Sequence, residues 1–163
     1  MEDNIKNLIR EANKTLQTAD HLAYVTYPIV NELKLLVTIT ENIYVSMSLG
    51  MEALMRYDLY YKRISHIPTD FNLRLEVFKK VSSRYNIERI YVSTIKDIKD
   101  LLEHQKKSPV EFTRKDKLIM LSSNYKIQKI ISIEKVKEYL NQAKPFISKV
   151  NRVLLNTNDR RFA

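Results

Sequence analysis

The residues from Leu33 to Tyr61, LKLLVTITENIYVSMSLGMEALMRYDLYY, constrain the fold most, because Glu41 is the only charge between Lys34 and Glu52. A segment this apolar on all sides is expected to lie inside the protein with the other elements packed around it. Two patterns compete within it. Leu33, Leu35, Val37, Ile39, Ile43, Val45, Met47, Leu49 and Met51 alternate as a strand would, with a turn at Glu41-Asn42. The three-and-four spacing of Leu33, Leu36, Val37, Thr40, Ile43, Tyr44, Met47, Met51, Leu54, Met55 and Leu59 extends further, and neither proline nor glycine marks the supposed turn. The expectation is therefore one long helix over 31–64. Gly50, the only glycine of the chain, falls inside it near Ser46, Ser48 and Ala53, where a neighbouring backbone can come close.

Shorter helices surround this one. Ile5, Leu8, Ile9, Ala12, Leu16 and Ala19 predict an amphipathic helix over 4–23 with Asp3 as its cap, ended by the approach to Pro28. Thr69 or Asp70 caps a third helix running to about Arg84, and Ile87 to Lys106 form a fourth, stopped by Pro109. KLIML and YKIQKII are short β-prone runs around Ser122-Ser123-Asn124, which predicts a small β-hairpin over 117–131. Ser132 caps a last helix, which Pro145 should kink or split near Ala143, and the tail from Asn156 has no periodicity. The fold class is all-α: about five helices around a long central one, with a hairpin before the last, in a single domain over 1–155 and a loose tail over 156–163.

With 163 residues, one glycine and no cysteine, the chain has no disulfide, no thiolate and no glycine-rich phosphate loop. His21, His66 and His104 stand at no metal-ligand spacing, so neither a metal nor a cofactor is expected. There is no uncharged run of membrane-spanning length, and the polar N-terminus is not a secretory signal; the expectation is a cytoplasmic protein without a membrane partner.

The net charge of +9 is unevenly spread. Residues 1–60 hold five Lys/Arg against eight Asp/Glu, a balance of −3, whereas 61–163 hold 23 against 11, a balance of +12. Such asymmetry points to a polyanion, with RNA or DNA the first candidate. Two basic groups carry the expectation. Lys106, Lys107, Arg114, Lys115, Lys117, Lys126 and Lys129 stand against only Glu111 and Asp116, on a loop and hairpin where they can reach phosphates. Arg56, Tyr60 and Arg63 are spaced as one exposed stripe that sets cations beside an aromatic ring.

A third constellation is acidic. Glu41, set in an apolar run, needs a partner, and Glu52 lies eleven residues on, about three turns and so near the same face. Asp20 and His21 at the end of the first helix are candidates to meet them in a buried polar cluster. Its first reading is a contact that fixes helix register; acid-base chemistry by a small hydrolase comes second.

The order of a short helix, a long central helix, two more and a closing one resembles the HEPN-like bundles of archaea and bacteria, found beside nucleotidyltransferases or in RNA-cutting toxins. Catalytic members carry an arginine followed after four to six residues by a histidine. Here nine residues separate Arg56 from His66 and two separate Arg63 from it, so the resemblance implies a non-catalytic relative. AYVTYPIV and SPVEFTRKDK also look like archaeal sequences. The leading expectation is a non-catalytic nucleic-acid-binding bundle; the alternatives are a protein-interaction subunit, as a homodimer or the partner of an enzyme such as a nucleotidyltransferase, and the small hydrolase.

Overall fold

In a computed structural model, which describes residues 2–108, 110–121 and 126–159, the stretch singled out above is the helix α3, Lys34–Tyr60. Leu36, Ile39, Ile43, Met47, Met51, Leu54 and Met55 face the core, and the three-and-four spacing prevails over the strand alternation. The helix is not hidden all round: Thr38, Glu41 and Val45 form an outward stripe, one helical step off the buried residues. Six α-helices and one small sheet make up the described fold.

α1, Glu2–His21, lies along α3 and buries Ile5, Ala12 and Ala19, seven residues apart. Two of the three are alanines, which lets the backbones approach closely enough for the Ser46 hydroxyl to donate to the Ala12 carbonyl at 2.7 Å. Asp3 falls inside the first turn of α1 instead of capping it. Beyond His21 the helical path continues, against expectation, as a π-helical turn, Leu22–Thr26, and α2, Tyr27–Val30. Pro28 has no amide hydrogen to donate, and the wider turn before it accommodates that loss. Asn31, with φ of 53°, ends the path in the left-handed region.

The Asp70 carboxylate accepts from the Leu73 amide at 3.0 Å and so starts α4, Phe71–Arg84; α5 is Ile90–Lys107. The Ser132 hydroxyl receives the Lys135 amide at 3.2 Å at the head of α6, Ile133–Asp159. α6 is not split at Pro145, because Val136, Leu140 and Ala143 before it and Phe146, Ile147 and Val150 after it share one buried face. The helix also runs on past Asn156 to Asp159, where a loose tail was expected.

Between α5 and α6 the expected hairpin has gained a strand. β1, Val110–Arg114, β2, Lys117–Leu121, and β3, Ile127–Ser132, pair antiparallel in that order. Leu118, Met120 and Ile131 face the helices and join the core, which anchors a sheet too small to stand alone. The turn expected at Ser122–Asn124 lies outside the described residues. The β1–β2 turn is Lys115–Asp116, with φ of 50° and 61°, the signature of a type I′ turn.

Candidate nucleic-acid interface

α3 and α6 run in the same direction. Gly50 abuts Phe146 and Ile147 midway along both, while Tyr57 and Tyr60 share a groove with Leu154, Leu155 and Ile5 near their ends. The sheet, which feeds directly into α6, therefore sits at the end where α3 begins. Burial raises the Tyr27 phenol above its ordinary range, and the carboxylates of Asp116 in the β1–β2 turn and Glu134 in α6 add to it, placing all three at this end. A helix of 27 residues is about 40 Å long, so the two basic groups expected from the sequence lie at opposite ends of the bundle.

They also differ in what they are free to do. Arg56 donates to Glu52 at 2.7 Å, and Arg74 from α4 closes on the other oxygen of that carboxylate. Asp58, fully buried, is gripped by Arg84 and the Tyr85 hydroxyl, with Arg63 at 3.5 Å. Arg63 also donates to Tyr85 at 2.8 Å and lies over the rings of Tyr57 and Tyr61. Burial, then the hydrogen bond to Asp58, hold the Tyr85 phenol well above its ordinary range, so it stays a donor. The stripe of Arg56, Tyr60 and Arg63 lies at the surface, but its arginines are paired with two carboxylates and Tyr60 stands edge-on to Tyr61. The anchors Asp58, Arg74, Arg84 and Tyr85 escape a sequence reading because partners 22 to 27 residues apart leave no periodic trace.

The buried polar cluster does not form either. Glu41 and His21 are exposed, the Asp20 carboxylate meets the Lys144 ammonium at 2.5 Å, and Glu52 belongs to Arg56 and Arg74. No hydrogen bond or ion pair joins any two of the four. Glu41 needs no buried partner because it lies on the outward stripe of α3.

At the sheet end the cations are unspent. Lys106 and Lys107 close α5, where the helix dipole favours positive charge. Lys115 occupies the tip of the turn, and Arg114 pairs directly with Lys117 across β1 and β2. These five are exposed and Lys129 is half-buried; none of the six makes an ion pair with a described residue. Lys126 is exposed as well but has an interaction of its own. Two of these placements cost stability: like charges face each other in the Arg114–Lys117 pair, and lysine sits at a left-handed position suited to asparagine or glycine.

Beside this group stands an aromatic side chain that the charge pattern did not single out. Tyr24, on the π-helical turn, is 45% exposed, with the ammonium groups of Lys137 and Lys144 at 5.0 and 5.2 Å from its ring centre. The two lysines, seven apart on α6, share a face, which is the spacing by which they could have been found.

Among the described residues no group of three or more acidic or histidine side chains could hold a metal ion, and no helix is long and apolar enough to cross a membrane. No known protein-family model matches the chain, and no curated protein does.

Proposed function

We propose that this chain is a non-catalytic, basic helical-bundle protein that binds RNA or DNA through backbone phosphates, working in the cytoplasm, with the sheet end of the bundle as its contact surface. The observation that carries this is the gathering at the sheet end of six cations that make no ion pair with a described residue, on a turn, the strands of the sheet and the adjoining end of α5. Charge held on a turn and strand ends, where backbone is exposed, suits phosphate contact without base readout. The helix order supports a HEPN-like relative that has kept the bundle without the arginine and histidine pair.

Titration of a labelled oligonucleotide at two salt concentrations tests the proposal. Affinity should fall steeply with salt, by a slope of about 0.7 to 0.9 per phosphate contacted. Changing Lys106, Lys107, Lys115 and Lys117 together to serine should weaken binding to every sequence alike. Binding indifferent to salt and to these changes overturns it.

A second reading, a protein-interaction subunit, is favoured by a different surface. Val25, Ile29 and Val30 are exposed side by side around α2, Ile29 at 80%, and contiguous apolar surface of this kind marks contact sites. Sedimentation at two concentrations, repeated with Ile29→Lys, decides whether this ridge joins two copies.

A further inference from the structure

We infer that the ligand of the sheet end is a single strand, with Tyr24 the platform on which one base stacks and Lys137 and Lys144 the contacts for its neighbouring phosphates. The inference rests on the proposed function and narrows its substrate class. A duplex keeps its base faces inside the stack, so an exposed aromatic ring has nothing to stack on there. A strand with splayed bases offers such a face at every nucleotide.

The local geometry suits that role. Ala23 in the π-helical turn and Tyr27 at the head of α2 take the buried places, which leaves the ring of Tyr24 alongside α6 at the surface. Such widened turns recur at functional sites. The two lysines of α6 beside the ring supply what a stacked nucleotide needs next, a cation within reach of its phosphate. Lys137 makes no ion pair with a described residue, and Lys144 shares its charge with Asp20.

The platform is continuous with the free cations. Lys117 pairs across the sheet with Ser132, the residue before α6, and Lys137 follows five residues later, about 7.5 Å along the helix axis. Lys115 stands in the β1–β2 turn, two residues before Lys117. A strand crossing the tip at Lys115 and Lys117 is thereby led along the head of α6 to Tyr24.

The test compares a twelve-nucleotide oligo(U) with the oligo(U)·oligo(A) duplex of equal length, at one salt concentration, for the whole chain and for Tyr24→Ala and Tyr24→Phe. Tyr24→Ala should lower affinity for the single strand about tenfold or more, leave the duplex unchanged, and be rescued by Tyr24→Phe. Should the alanine variant fail to fold, Tyr24→Leu, which keeps apolar bulk without a π-face, takes its place with the same expectation. An equal loss on both polymers, or no loss on either, overturns the inference and leaves charge-driven binding standing. Failure of the unaltered chain to bind either polymer in a salt-dependent way overturns both.

Discussion

Asp58 and Arg84 join α3 to the end of α4 through an ion pair whose carboxylate is wholly buried and whose guanidinium still reaches solvent. The two partners are therefore not equivalent. Without its arginines the buried carboxylate keeps its charge with only the neutral Tyr85 hydroxyl to donate to it, whereas the arginines can turn to water. Removing Arg63 and Arg84 together, each to alanine, should cost about 3 to 5 kcal/mol in urea unfolding, as expected when a buried charge loses its compensation. Adding Asp58→Asn should return most of that loss. If the triple variant is no more stable than the double, the buried carboxylate is not the source of the cost.

Tyrosines shape the alkaline limit. Tyr139 is 7% exposed, and burial first, then the nearby Asp97 and Glu138 carboxylates, push its phenol up to about 12. In the unfolded chain the same group ionises near 10. A raised value means that the folded state holds the proton more tightly. The contribution is complete below about pH 10 and is lost as pH climbs from about 10 to about 12. Urea midpoints measured from pH 8 upward should stay level and then fall, and Tyr139→Phe should flatten the fall. Tyr85, raised by burial and Asp58, acts in the same direction, so the flattening should be partial.

Gly50 is needed for packing and not for its backbone angles. A Cβ there would stand 2.8 Å from Ile147 Cδ1 and 3.2 Å from the Phe146 ring, on the face where α6 meets α3. Alanine would gain about 1 kcal/mol of helix propensity but overpack a filled site, at about 1 to 3 kcal/mol. Gly50→Ala should thus be destabilising by about 1 kcal/mol and Gly50→Val by more. Ile147→Val removes the nearest atom, so the Gly50→Ala, Ile147→Val double variant should be more stable than the two single effects summed. Strict additivity in thermal or urea unfolding would show that the contact is not the cause.

The helices were legible because burial writes itself into periodicity: 36, 39, 43, 47, 51 and 54 on α3, and 136, 140, 143, 147, 150 and 154 on α6, each follow the turn. The same pattern, followed more strictly, would have set Glu41 outside, one step from Thr40. β1 went unseen because VEFTR is short, although the lysine-rich tip that closes it was noticed for its charge. Pro28 reads as a stop because proline forbids the ordinary hydrogen bond; a π-helical turn avoids that bond, and no composition announces it. The candidate site was half legible for a related reason. Bases can be counted in a sequence, but which of them a carboxylate will occupy depends on contacts between α3 and α4 that only the fold creates. Counting gave two basic groups without their positions in space; the fold separates them by the length of α3.

The tip of the sheet should trade stability against binding. Lys115 and Asp116 both hold positive φ in a two-residue turn, where asparagine followed by glycine is the favoured pair. Replacing them by Lys115→Asn with Asp116→Gly relieves two disfavoured backbone conformations and should raise stability by about 1 kcal/mol. It removes one base and one acid, so the net charge is unchanged. A protein that merely needed overall positive charge would bind as before. One that places a cation at the tip to meet a phosphate should bind an oligonucleotide more weakly and show a salt slope smaller by about one contact. A variant that is both more stable and fully competent in binding would mean that the lysine at this strained position has no part in the interface.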